Sequence, residues 1–397
     1  MMMITGKDHL APLTGLRGFA AYAVLVAHAV DQAYNYGGTS LFAFFASRLA
    51  FFGMSLFFVL SGFVIYFNYA NDFVGKGVRS TAWGFFVARF ARLYPLYFVA
   101  IVASLPSWPA PAFEKYDGAL LAHLSMTQSW VNYVVAVFQP AWSISTEWFF
   151  YFAFVPLVFL VHPIRRPVPV LAVFCAVVFV GLIFVLGRYE APLTAFVERW
   201  NYTDTTVSTG AWSWVIYMGP LVRLFEFIAG MLAAKVYLTL RHQPPQRLWM
   251  SLVLFVAALW CLAVVSSGRL VPETPLYQIR SNFIYAPALA AFMACICLSS
   301  GWWSRWLSSR PLQYMGAISY SVYIWSFFVN GMLSTTYRSP QLTETAFSAS
   351  TFRVLLVVGF TTMIADGSYR LIEMPARRWL RRLLNPSSVG VEAARSS

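Results

Sequence analysis

Arg17 and His28 lie in one apolar stretch, Leu13-Thr-Gly-Leu-Arg17-Gly-Phe-Ala-Ala-Tyr-Ala-Val-Leu-Val-Ala-His28-Ala, with ten residues between them. On a helix that step is about three turns, so both side chains fall on nearly one face with roughly 16 Å of rise between them. Ionisable groups at membrane depth are costly and are kept there for a purpose such as proton transfer or ligand binding. Glu147 opens a further apolar stretch, Ala141-Trp-Ser-Ile-Ser-Thr-Glu147-Trp-Phe-Phe-Tyr151. If that stretch runs inward, Glu147 reaches a depth similar to His28. A carboxylate beside an imidazole orients its tautomer and stabilises the imidazolium formed during proton transfer. An interhelical hydrogen bond that only holds the bundle together is the other reading of the same pair.

Arg89 and Arg92, in Phe85-Phe-Val-Ala-Arg89-Phe-Ala-Arg92-Leu-Tyr-Pro95, are i,i+3 neighbours near the inner end of their stretch. With Arg17 they put three guanidinium groups at one mouth of a bundle, and Arg suits bidentate phosphate recognition. Snorkelling to lipid headgroups explains Arg89 and Arg92 equally well. Ser61, in Gly53-Met-Ser-Leu-Phe-Phe-Val-Leu-Ser61-Gly62-Phe, is a hydroxyl that suits helix packing better than attack, since no acid or His stands near it in sequence. Arg223 and Glu226 are oppositely charged at i,i+3 and neutralise each other, while Asp366, Arg370 and Glu373 form a second such set. Tyr320, Tyr323 and Ser326 make a polar stripe at i, i+3, i+6 that lines a cavity or bonds a neighbouring helix. Trp142, Ser145 and Tyr151 share the Glu147 stretch and complete the candidate pocket. His9, His123, His162 and His242 carry no clear signal. Cys175, Cys261, Cys295 and Cys297 sit in apolar runs without zinc-ligand spacing, so they read as packing residues and no metal site is expected.

These groups need a bundle in lipid to position them. Hydrophobic residues make up 59% of the 397-residue chain and charged residues 11%, which excludes an ordinary water-soluble domain. The net charge of +13 reads as membrane orientation rather than nucleic-acid binding, because basic residues collect in cytoplasmic loops. About ten stretches are long and apolar enough to span, at roughly 13–33, 48–69, 83–104, 141–161, 168–187, 212–239, 248–265, 282–300, 314–334 and 353–372. The 118–138 stretch reads as re-entrant or interfacial. Arg165 and Arg166 in the short 162–167 loop, together with the tail arginines from Arg377 to Arg395, predict both termini on the cytoplasmic side. The first stretch reads as a retained span rather than a cleaved signal. The fold class expected is therefore an all-α integral membrane protein: one transmembrane domain over 1–384, a short disordered tail over 385–397, and no soluble domain.

Six blocks in this order resemble the membrane-bound acyltransferase type 3 family. They are Arg17 with His28, the Gly53-to-Phe63 run with Ser61-Gly62, Arg89-Phe-Ala-Arg92 followed by Tyr94-Pro95, and Trp142-Ser-Ile-Ser-Thr-Glu147-Trp-Phe-Phe-Tyr151. Arg223-Leu-Phe-Glu226-Phe-Ile-Ala-Gly230 and Ile318-Ser-Tyr320-Ser-Val-Tyr323 complete the set. The resemblance implies acyl transfer, usually acetyl, from cytoplasmic acyl-CoA as co-substrate to a hydroxyl of an envelope carbohydrate or glycolipid. It implies a bacterial inner membrane and no permanently bound cofactor. It departs at Ser326, where many relatives carry His, and some relatives add an extracytoplasmic esterase-like domain. Arg17, Arg89 and Arg92 are then the expected acyl-CoA phosphate ligands. His28 is the expected general base with Glu147 as its orienting partner, or else the carrier of a transient acyl group. A proton-coupled exporter or flippase uses the same kinds of residue and is the alternative, although no broken-helix pair or inverted repeat accompanies them. Membrane lipid is an expected partner, nucleic acid is not, and a homo-oligomer is compatible with the sequence.

Overall fold

The computed structural model describes residues 10–33, 41–107, 117–131, 138, 140–198, 213–243, 283–336 and 346–384, with parts of 252–263. Among them there are helices and no strand. The helices are α1 (Ala11–Ala33), α2 (Leu41–Lys76), α3 (Val78–Ser104), α4 (Asp117–Leu124), α5 (Ala141–Val161), α6 (Pro167–Glu198), α7 (Pro220–Leu240), α8 (Ala286–Leu298), α9 (Trp302–Leu307), α10 (Arg310–Thr336), α11 (Ala346–Ser368) and α12 (Met374–Leu384). A π-helical turn, Tyr369–Glu373, joins α11 to α12 without a break.

Seven described helices are long and apolar enough to cross a membrane: Ala11–Asp31, Leu49–Lys76, Val78–Ser104, Ala141–Val161, Pro167–Val185, Trp214–Leu240 and Thr351–Leu384. The stretches expected at 248–265 and 282–300 contain shorter apolar helices, Leu252–Cys261 and Phe283–Leu298. The 314–334 stretch lies within α10, which is long enough to span, but Ser319, Tyr320, Ser321, Tyr323, Ser326 and Asn330 dilute its apolar character. Those polar groups do not face lipid: Ser319, Ser321, Ser326 and Asn330 are all buried. The tail after Leu384 lies outside the described residues.

Small residues set the packing. α1 is held between α2 and α10. Where α2 crosses α7, a Cβ on Gly62 would collide with the Phe227 carbonyl, and one on Gly230 with that of Val59. Such glycine contacts let helix backbones approach closely where lipid offers no hydrophobic drive. α2 and α3 are joined by Gly77 alone, at φ 82°, a left-handed conformation that glycine adopts without strain. That single-residue turn brings Arg89 and Arg92 back alongside the α2 segment carrying Ser61 and Tyr69.

Candidate functional site: an arginine-lined cavity and a separate histidine

One end of the bundle encloses a cavity of about 1040 Å³ between α1, α2, α3, α5, α10 and the π turn with α12. Six arginines and two glutamates line it: Arg17, Arg89, Arg92, Arg377, Arg378 and Arg381 with Glu147 and Glu373. Ser61, Ser143, Tyr320 and Tyr323 add hydroxyls.

Neutral groups hold the inner arginines. Arg17 donates from Nε to the Gly316 carbonyl at 3.0 Å, an oxygen that Gly18 and Gly316 make reachable by bringing α1 and α10 together. Arg89 is buried, donates from Nη2 to Tyr69 Oη at 3.3 Å, and lies over the Tyr69 and Tyr151 rings at 5.3 and 5.9 Å. Its Nε has no hydrogen-bond partner. Among the described residues no hydrogen bond or ion pair engages Arg92, Arg377 or Arg381. Glu147 Oε1 accepts from Tyr151 Oη at 2.6 Å and lies 3.5 Å from Ser61 Oγ, the limit of a hydrogen bond. Glu373 accepts from Ser321 Oγ at 2.9 Å. The cavity thus presents a surplus of positive charge whose members are poorly neutralised by protein, the condition under which guanidinium groups bind phosphate.

His28 lies elsewhere. It is absent from the cavity lining, and its ring is exposed although Ala27, Ala29 and Val30 around it are fully buried. The eleven-residue step from Arg17 is about 20° of helix rotation, so His28 shares the α1 face that carries Arg17. Asn330 Nδ2 of α10 donates to the His28 backbone carbonyl at 3.0 Å. Ala21, Leu25 and Ala29 of α1 pack with Ile318, Val322 and Val329 of α10 and Val357 and Ala365 of α11 in one buried cluster, with Phe57 against it.

This geometry corrects the expected Glu147–His28 pair. Gly53 packs against Ala20 and Val24, which fixes the level of α2 on α1. Ser61, beside Glu147, lies about 12 Å from that contact toward the arginine end, while His28 lies about 9 Å away in the opposite direction. Roughly 20 Å of helix rise therefore separates them. Glu147 shares its depth with Arg17 because α5 enters the bundle beside the middle of α2, a position that span counting does not reveal.

Other expected pocket residues divide. Ser61, Tyr320 and Tyr323 line the cavity, with Tyr320 Oη donating to the Leu93 carbonyl at 2.7 Å and Tyr323 Oη sharing a 2.7 Å hydrogen bond with Ser143. Trp142, Ser145, Tyr151, Arg223, Glu226 and Ser326 do not line it. Ser326 bonds back to its own helix at the Tyr323 carbonyl (2.8 Å), and Ser145 Oγ accepts from the Ser129 amide at 3.2 Å. Arg223 and Glu226 are fully buried and paired at 2.9 Å, with Ser55 donating to Glu226 at 2.6 Å and Arg223 Nε donating to the Tyr217 carbonyl at 2.6 Å. The Arg223 guanidinium sits among Tyr217, Phe58 and Trp142 at 4.7, 5.4 and 5.7 Å, which makes Trp142 part of its packing shell. Asp366 pairs with Arg370 at 2.9 Å and accepts from Tyr314, but Glu373 stands apart from them. The sequence reading missed Arg377, Arg378 and Arg381 as site residues by treating them as loop charge. The signal was the Glu373, Arg377, Arg381 spacing at i, i+4, i+8, a single helix face. The four cysteines are free thiols.

This fold and site define a multi-pass membrane protein with an arginine-rich cavity at one end. The chain belongs to the acyltransferase 3 family, whose acyltransferase-domain pattern matches residues 11–366. Acyltransferase MdmB of Streptomyces mycarofaciens is 30% identical over 338 residues, covering 81% of this chain and 79% of that protein. Peptidoglycan O-acetyltransferase OatA of Listeria monocytogenes is 26% identical over 391 residues, covering 94% of this chain but 56% of the relative, so this chain spans little more than half its length. No solved structure matches the chain.

Proposed function

We propose that this protein is an integral-membrane O-acyltransferase that moves an acyl group, acetyl in the simplest case, from cytoplasmic acyl-CoA to a hydroxyl of a cell-envelope or exported carbohydrate in a bacterial inner membrane. The observation that carries the reading is the cavity lined by six arginines and two glutamates. Coenzyme A bears a pyrophosphate and a ribose phosphate at one end and its thioester at the end of a long, uncharged arm. Arginines at the cavity bind the phosphates, and the arm extends along the α1 face toward His28.

The acceptor hydroxyl reaches His28 from the end of the bundle away from the arginines. His28 takes the hydroxyl proton as the oxygen attacks the thioester carbon. The carbon–sulfur bond breaks, and the departing thiolate takes up the proton from the His28 imidazolium, which restores the neutral base. Glu147, bonded to Tyr151 and close to Ser61, belongs to the donor cavity and tempers its positive charge; it is not the partner of His28. Asn330 steadies the His28 turn of α1.

The test is sidedness. Protein reconstituted into liposomes in one orientation receives labelled acyl-CoA on one face and a carbohydrate acceptor on the other. Transfer only when the donor faces the arginine cavity supports the reading. Proton or solute flux without any donor would contradict it.

A further inference from the structure

The arginines of α12 do not duplicate those of α3. Trp83 Nε1 donates to the Leu384 carbonyl at 2.8 Å, which fixes the antiparallel register of α12 on α3. Counting back from that bond puts Arg377 level with Arg89 and Arg92, and Arg381 about 6 Å nearer the open end. Arg381 has its Nε buried with no hydrogen-bond partner. α12 packs on α3, and Arg377 and Arg381 line the same cavity as Arg89 and Arg92, so the α12 face meets the α3 arginines there.

The π turn Tyr369–Glu373 aims that face. One extra residue in a turn rotates everything after it by about 100°. Beyond the turn, Arg377 and Arg381 line the cavity, whereas Leu371, Trp379 and Leu383 are exposed on the other side at 79%, 62% and 59%. Before it, Asp366 and Arg370 satisfy each other in an exposed pair. The chain therefore changes helix type at the point where its arginines pass from being paired to facing the cavity.

We propose that Arg377 and Arg381 form a separate phosphate-monoester subsite at the mouth, which reads the ribose 3′-phosphate of the coenzyme and selects CoA thioesters over 3′-dephospho-CoA thioesters. The inference rests on the reading that acyl-CoA enters this cavity. A donor with its thioester innermost must leave its ribose phosphate nearest the opening, where Arg381 stands. A phosphate monoester carries about −1.5 to −2 charge near neutral pH, which two guanidinium groups match. Arg17, Arg89 and Arg92 remain for the pyrophosphate.

Competition against labelled acetyl-CoA on the full-length protein in zwitterionic nanodiscs tests this. Wild type should bind CoA about tenfold or more tightly than 3′-dephospho-CoA. Arg377→Gln/Arg381→Gln should bring the two ligands to equal affinity, and Arg381→Gln alone should narrow the gap. Arg92→Gln should weaken both ligands while preserving the ratio. A wild type that does not discriminate, or a double variant that still does, overturns the subsite while CoA binding itself still supports the donor reading. No competition by either ligand overturns the donor reading and the subsite together. If the double variant differs from wild type only in vesicles containing anionic lipid, with the ligand ratio intact, the arginines serve lipid headgroups and the proposal falls.

Discussion

Removing either member of the Arg223–Glu226 pair should unfold the bundle far more readily than removing both. Both side chains are fully buried, and Glu226 receives two bonds from Arg223, at 2.9 and 3.1 Å, and one from Ser55 at 2.6 Å. Glu226→Met leaves a guanidinium charge among Tyr217, Phe58 and Trp142, and Arg223→Met leaves a carboxylate that keeps its bond from Ser55. Breaking a buried pair from one side costs roughly 3–5 kcal/mol. Replacing both with methionine removes both charges and leaves the Tyr217 carbonyl without its Arg223 donor, at about 1–3 kcal/mol. The double variant should therefore lose less stability than either single variant, giving a coupling of at least about 3 kcal/mol. Equilibrium unfolding in mixed detergent–SDS micelles measures all four corners of the cycle. Because the pair lies outside the cavity lining, the folded fraction of each variant should bind acyl-CoA as wild type does. Additive losses, single losses below about 1 kcal/mol, or a folded Arg223→Met protein unable to bind donor would refute the assignment of this pair to structure.

Tyr151→Phe removes the 2.6 Å hydrogen bond to Glu147 and frees that carboxylate to compete for the cavity arginines. A charge-assisted bond of this kind is worth about 1.5–3 kcal/mol, so KM for acyl-CoA should rise about tenfold with little change in kcat; an unchanged KM counts against it. His123 is fully buried in α4, and its Nδ1 is 2.8 Å from the Ala119 carbonyl, which requires the Nδ1–H tautomer. Burial holds its pKa at about 4, below the ordinary 6.5. The unfolded chain then binds the extra proton first, so stability is full above about pH 6.5 and falls as pH drops toward 4, by roughly 3 kcal/mol in all. In thermal unfolding between pH 7.5 and 4, His123→Gln should lose less stability than wild type; identical losses would remove His123 as the cause.

The bundle was more legible than its site. Hydropathy marked α1, α2, α3, α5, α6, α7 and α11, because lipid-exposed helices must be apolar along their length. α10 was read as a span at 314–334, and its polar groups are those that a helix enclosed by others carries and lipid-facing ones exclude. The arginines of α1 and α3 were visible as paired charges in apolar runs, and the cavity unites them. Arg377 and Arg381 were hidden by position: basic residues near the end of a span satisfy the orientation rule, and that reading masked their shared face with Glu373. Glu147 misled because depth was counted from the start of its own span. α5 begins well inside the bundle, beside Phe138 and the Gln128–Trp130 turn, so its seventh residue reaches the Arg17 level instead of the His28 level. No sequence pattern announces Asn330, which contacts His28 only through a backbone carbonyl.

The most direct measurement separates donor binding from transfer in His28→Ala. Purified variant and wild type, reconstituted in liposomes, are compared for binding of labelled acyl-CoA and for label appearing on the carbohydrate acceptor. With the base removed and the arginine cavity intact, donor affinity should stay within a few-fold of wild type while transfer falls by about 100-fold or more. Transfer at the wild-type rate would take the imidazole out of the chemistry, and loss of donor binding would show that the two sites are one.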